Sequence, residues 1–370
     1  MNRLIVADSE RDADMLYATR FFAPDAFVFL EKAGRKKLLL SELEVDRGRA
    51  TAAVDEVLPM SEIADRVRKQ LKKEPSFPDI IAAFLKREKA ARVAVPESFP
   101  LGLALELQAR GLQLKVEAGA FWPEREYKTA KEIKSLREAL KITETGMLRA
   151  FEVLAAATID PKKFLVWGGS KLTSERLRAE IDSAILHAGG LPANTIVAGG
   201  NQACDPHERG SGPLKANSLI ILDIFPRHAR HGYYGDLTRT VVRGKASEAQ
   251  KDLWHVVWEG QKIALRAMKP GEDGKAIQDA VKDFFTMHGY PTEQRKGRWT
   301  GFFHGLGHGL GLEIHESPRF SRTTLKPGQV ITVEPGLYYP GIGGVRHEDV
   351  VAVTGKGIQM LTGCPRPLEI

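Results

Sequence analysis

The stretch Phe302–Glu316, FFHGLGHGLGLEIHE, carries three of the chain's ten histidines, His304, His308 and His315. His304 and His308 sit four apart, the spacing that sets two imidazoles on one face of a helix. Gly305, Gly307, Gly309 and Gly311 interleave the histidines, and each interior glycine costs a helix about 1 kcal/mol. The stretch therefore predicts extended chain, in which glycines let the backbone come close to something and imidazoles aim into a site. A glycine-rich turn with incidental histidines is the plain alternative. Acidic strands on both sides weigh against it.

Upstream, Leu219–Phe225 (LIILDIF) is an apolar run that predicts a buried strand, yet it holds Asp223. Asp236 opens the next strand in GYYGDLTRT. Glu334 ends VITVEP and Glu348 lies in GVRHEDVVAV, both expected inside strands, at 330–338 and 345–353. A buried carboxylate must be paired, protonated or bound to metal. Any one of these acids alone reads as a satisfied structural carboxylate; four on core strands beside the glycine-rich stretch read together as a site. Four carboxylates and one imidazole offer hard oxygen donors with one borderline nitrogen, suited to Mn, Fe, Co or Zn in pairs. Their four negative charges balance two divalent cations. Two metals about 3.5–4 Å apart share a bridging water whose pKa falls towards ~7, which supplies hydroxide at neutral pH. The reaction implied is hydrolysis.

The rest of the chain supplies the setting. At 370 residues, with 43% hydrophobic and 27% charged side chains, it is long enough for two folded domains. No run of eighteen apolar residues occurs, so no membrane span is expected. The opening MNRLIVADSERDAD has an apolar patch followed at once by acids, unlike a signal peptide, and a cytoplasmic protein is expected. Two cysteines, Cys204 and Cys364, exclude a disulfide framework and a Cys-rich zinc site. The net charge of +7 comes with no basic tail or arginine-rich arm, so nucleic acid is not an expected partner.

Residues 1–117 predict a compact α/β unit. Strands are expected at 26–30, 37–40, 93–95 and 112–116, and helices at 61–71 and 78–89. A third helix is expected to be capped by Ser98, opened by Pro100 and closed by Gly111. This half holds no histidine and predicts packing, substrate enclosure or subunit contact rather than chemistry. Residues 118–128 form the boundary. Beyond it, Thr129 with Glu132 and Ser247 with Gln250 predict capping boxes of two long helices. Further helices are expected at 173–187 and near 276–288, on one face of an antiparallel sheet.

From about Thr129 onward the chain resembles the methionine aminopeptidase/prolidase/aminopeptidase P family of dinuclear metallopeptidases, with its pita-bread fold. The pieces LDIF…GYYGDLTRT, HGLGHGLGLEIHE, TVEPGLYY and VRHEDVV stand in that family's order. The resemblance implies an α+β fold: a C-terminal pita-bread catalytic domain over residues 123–370 and a smaller N-terminal α/β creatinase-type domain over residues 1–122. It further implies that Asp223 chelates one metal, that His308 and Glu334 bind the other, and that Asp236 and Glu348 bridge both. Manganese is the first expectation, with cobalt, zinc or iron as the other candidates. Glu334 would also handle the proton beside the nucleophile. His315 would hydrogen-bond the scissile carbonyl oxygen. His207 would line the substrate's N-terminal side, or else be a plain turn residue. His304 would flank a proline pocket. Arg346 would stand near the metals, with a plain salt bridge as the alternative. One departure is visible. Asp223 and Asp236 are thirteen positions apart, about two more than the family's usual link, and Arg227, His228, Arg230 and His231 fall in the longer loop. If that loop is a hairpin tip, two added residues preserve which face each strand presents. His228 and His231 are expected to be exposed there.

The activity implied is hydrolysis of the bond between an N-terminal residue and a following proline, as an Xaa-Pro aminopeptidase or dipeptidase, with a homodimer expected. The rivals are a creatinase-like carbon–nitrogen hydrolase, a methionine aminopeptidase, and a non-enzymatic binding member of the family. The first and last should have lost ligands that this chain keeps.

Overall fold

The computed structural model describes all 370 residues and divides into two compact units, Met1–Pro123 and Glu124–Ile370. No helix is long and apolar enough to cross a membrane.

The first unit is a six-stranded mixed sheet of β1 (Asn2–Ala7), β2 (Phe27–Lys32), β3 (Arg35–Leu40), β4 (Glu56–Pro59), β5 (Arg92–Pro96) and β6 (Gln113–Glu117). Its order is β4-β3-β2-β1-β5-β6. The period-2 alternation of its strands serves two cores. Leu4, Val28, Leu30 and Leu39 face one core, and Ile5, Phe27, Phe29, Leu38 and Leu40 face the other. Helices α1 (Ala13–Thr19) and α2 (Val45–Thr51) contribute Met15, Ala18 and Val45 to the second core. Helices α3 (Met60–Leu71), α4 (Phe77–Arg87) and α5 (Leu101–Ala109) contribute Ile63, Ile81, Phe84 and Leu107 to the first. The apolar residues Leu4–Val6 lie in the inner strand β1, between β2 and β5. The expected Ser98 cap of α5 is not formed. Pro100 occupies the cap position, and no side chain bonds the first turn.

The second unit begins with α6 (Ala130–Ala156), started by the Thr129–Glu132 capping box. Then come α7 (Ser174–His187), α8 (Glu248–Ala267), started by the Ser247–Gln250 box, and α9 (Gly274–Met287). Its strands do not form the single sheet expected. A three-stranded antiparallel sheet runs Ile196–Gly199, Leu219–Ile224, Leu237–Val242. On it α6 and α7 pack Met147, Leu154, Leu177 and Ile181 against Ile220, Leu222, Ile224 and Val241. A five-stranded antiparallel sheet contains Val330–Val333 and Asp349–Thr354, and α8 and α9 contribute Val257, Val281 and Phe285 to the core on its Ile331, Val333 and Val351 side.

Two predicted strands are each broken in two. Val330–Val333 pairs with Asp349–Thr354 in the five-stranded sheet, whereas Gly336–Tyr339 pairs with Gly343–Arg346 in a separate hairpin. Glu334 and Glu348 therefore lie at the breaks, not inside strands. Pro335 has no N–H to donate to a ladder. The backbone N–H of Glu334 turns to Leu306 O at 2.9 Å, and that of Glu348 to Thr238 O at 3.1 Å.

Candidate metal and substrate site

The helices take one face of each sheet and leave the other for the site. In the Leu219–Ile224 strand, Ile220, Leu222 and Ile224 join the core under α6 and α7, so Asp223 points the opposite way with Ile221. Asp223 pairs with Thr238 across the hairpin, and Asp236, two residues before Thr238, presents the same face. The longer link is thus a hairpin tip that keeps the register. Its histidines are not exposed as expected. His228 and His231 are half-buried and stacked, ring centroids 3.6 Å apart, with His231 Nε2 3.5 Å from Glu138. The tip is folded down on α6, where Tyr233 donates its hydroxyl to Glu132 at 2.8 Å.

The Phe302–Glu316 stretch is non-helical, with His308–Gly309 in a short strand between Val330–Val333 and Glu316–Arg319, the latter starting at the stretch's last residue. Its glycines serve close approach. A Cβ on Gly307 would stand 1.9 Å from Thr332 O, and one on Gly311 would stand 2.2 Å from a Glu316 carboxylate oxygen. His308 N donates to Thr332 Oγ1 at 3.0 Å. Its Nδ1 lies 3.2 Å from Gly309 O, which favours a proton there and a free lone pair on Nε2.

All nine side chains singled out from the sequence line one cavity of about 740 Å³. Asp236, His308 and Glu348 bring ligating atoms within 4.8 Å of one another. His308 Nε2 lies 3.2 Å from Glu334 Oε1 and 3.7 Å from Asp236 Oδ2. Asp223 accepts from Arg346 Nη2 at 2.7 Å, and Glu348 Oε2 accepts from Thr238 Oγ1 at 2.8 Å. The other Glu348 oxygen is buried with no partner. Burial, reinforced by neighbouring carboxylates, pushes Asp236 and Glu348 well above the usual carboxylate range. Burial also opposes ionisation of Glu334, but His308 beside it, with the Arg346 guanidinium behind, holds it below that range. Crowded carboxylates with an orphaned buried oxygen are a donor set that a divalent cation would satisfy. The residues fit a divalent metal centre.

His304 Nδ1 lies 2.8 Å from Gly305 O and its Nε2 2.8 Å from the Tyr338 hydroxyl, which accepts from Arg346 Nη1 at 3.0 Å. Burial lowers His304 and His315 to about 4, so both rings are neutral at pH 7. His315 meets His308 edge-on, centroids 4.4 Å apart. His207 is exposed on a turn at the cavity's rim. Sequence reading missed Tyr338, the hydroxyl joining His304 to Arg346, and the cavity-lining cations Arg319 and Arg322. Their only signal was adjacency: Tyr338 stands four residues after Glu334, and Arg319 four after His315.

The family model "Metallopeptidase family M24" matches residues 134–355. An Xaa-Pro dipeptidase of Pyrococcus horikoshii is 32% identical over 282 residues, 75% of this chain and 74% of that protein. An Xaa-Pro dipeptidase of Pyrococcus furiosus is 33% identical over 251 residues, which span 65% of this chain and 64% of that one, so the chain aligns with just under two thirds of the latter's length. The fold matches the crystal structure of an X-Pro aminopeptidase from Thermotoga maritima, with a TM-score of 0.83 over 100% of this chain and 97% of that one at 24% identity. The protein is a member of metallopeptidase family M24.

Proposed function

We propose that this chain is an Xaa-Pro peptidase, hydrolysing the bond between an N-terminal residue and a following proline with two divalent metal ions. The observation that carries the reading is the meeting of four carboxylates and His308 with His304, His315 and Arg346 around one cavity. The M24 membership and the Xaa-Pro names of the relatives support it.

Asp223, Asp236, His308, Glu334 and Glu348 would hold the ions, with Asp236 and Glu348 shared between them. When bound, such a pair supplies a nucleophilic water at neutral pH and polarises the scissile carbonyl. His315, neutral at pH 7, donates a hydrogen bond to the carbonyl oxygen as negative charge develops there. Glu334, held ionised, takes the proton of the attacking water and passes it to the leaving proline nitrogen, which carries no N–H in the substrate. His304, beside Phe303, flanks the proline ring, and His207 lines the N-terminal side. Arg346 holds Asp223 in place. Manganese is the metal of first choice for these oxygen-rich donors. A homodimer, a cytoplasmic setting and an accessory role for the first unit complete the reading.

The test is release of the N-terminal residue from an Xaa-Pro dipeptide and an Xaa-Pro-Yaa tripeptide, with Mn, Co or Zn restored to stripped protein. Metal-dependent cleavage of the tripeptide gives an aminopeptidase, and of the dipeptide alone a dipeptidase. Cleavage of neither, with two metals bound, sinks the reading.

A further inference from the structure

Glu316 directly follows His315 and does not line the cavity. Its carboxylate is nonetheless buried, its side chain 7% exposed, between two cations. Lys128 Nζ lies 2.7 Å from Oε1 and Arg125 Nη2 2.8 Å from Oε2. The backbone N–H of Glu313 donates to Oε2 at 3.2 Å, and the carboxylate sits in the space that a side chain on Gly311 would fill. Arg125 Nη2 also reaches Glu313 at 2.8 Å. The loop from Gly311 to Glu316 thus closes on its own final carboxylate. The cations come from the segment before α6, which is itself tied down: Lys128 N donates to Gly328 O at 2.7 Å, and Gln329 Nε2 to Glu126 at 2.7 Å.

The His315 ring, by contrast, makes no hydrogen bond to another protein group, and its one ring contact is edge-on with His308. Its direction is set by backbone, and the nearest fixed point of that backbone is the next residue's carboxylate. We propose that Glu316, clamped by Lys128 and Arg125, is the positioning residue for His315. It acts through the imidazole and never touches substrate. This rests on the role given to His315 above.

The experiment is a double-mutant cycle on the metal-loaded enzyme with an Xaa-Pro peptide: Glu316→Gln, His315→Ala and the two combined. Glu316→Gln lowers kcat by roughly 10²-fold, the scale of a small misplacement of a reacting group, with little change in KM or metal content. The combined variant is no slower than His315→Ala, because a residue acting through another adds nothing once the other is gone. If Glu316→Gln slows the His315→Ala enzyme by the same factor as it slows wild type, the inference is overturned. If His315→Ala itself keeps wild-type kcat, the reading of His315 fails first, and this one with it. Because Glu316→Gln leaves the buried Lys128 ammonium without its carboxylate and can unfold the loop, Lys128→Gln and Lys128→Arg are run beside it. Arginine restores kcat and glutamine does not; wild-type kcat in Lys128→Gln overturns the clamp. In the metal-free protein, Lys128→Gln speeds amide exchange at residues 311–316 by roughly tenfold, and unchanged exchange counts equally against it.

Discussion

Arg346 reaches Asp223 Oδ2 at 2.7 Å with Nη2, inside a site where both side chains are buried. Nη1 of the same guanidinium donates to Tyr338, so one planar fork sets a cavity-lining carboxylate and the hydroxyl that holds His304. A lysine has no fork with which to serve both. Arg346→Lys is expected to lower metal affinity or kcat by roughly 10–100-fold, the range for partners that orient ligands. Titration with Mn and steady-state kinetics check this, and wild-type values for both would detach Arg346 from the site.

Metal loading should stabilise the fold, because a cation would neutralise the crowded buried carboxylates. Ion at about a hundredfold its Kd contributes about 2.7 kcal/mol. Thermal unfolding of stripped protein with and without Mn measures the rise. In Asp236→Asn the rise should vanish, together with the metal detected by mass spectrometry.

Gly307→Ala tests why the histidine stretch is rich in glycine. The new Cβ would overlap Thr332 O, 1.9 Å away, and backbone must shift next to His308. A loss of about 1–3 kcal/mol is expected from the overpacking, with weaker metal binding. Urea unfolding of the metal-free variant separates the two effects. Gly305→Ala meets nothing closer than 3.9 Å and serves as the silent control.

The stacked pair His228 and His231, neither of which lines the cavity, gives a pH dependence of its own. Burial, then the neighbouring His228, lowers His231 to about 4; Glu138 opposes this and Arg230 adds to it. Burial and Arg230 also lower His228, against Glu138. The unfolded rings protonate near pH 6.5, before the folded ones, so their contribution is complete above that pH and declines as pH falls towards 4. After allowance for solvent screening of a partly exposed site, the effect is roughly 1 kcal/mol. Denaturant unfolding at pH 7.5 and 5.0 should show a smaller drop in His231→Asn than in wild type; an equal drop rules the pair out.

The sequence by itself determined the chemistry of the site and much of the fold around it. Residue type and strand parity were enough to find Asp223 and Asp236, since period-2 alternation places them on one face when the loop between them is a hairpin tip lengthened by an even number of residues. The capping boxes at Thr129 and Ser247 are local, and local bonds are legible in local sequence. Only the tertiary structure decided where Glu334 and Glu348 sit. Their strands read as continuous because apolar runs do not record a change of hydrogen-bonding partner, and the breaks follow from pairing with strands far along the chain. The inner strand β1 was invisible for a related reason: its six residues are recognisable as a strand only through β2 and β5 on either side. Tertiary structure likewise folded the His228–His231 tip onto α6, joined Tyr338 to both His304 and Arg346, and set Glu316 between Lys128 and Arg125. Apart from the Tyr338–Arg346 bond within one hairpin, each of these joins residues distant in sequence, which no spacing along the chain encodes.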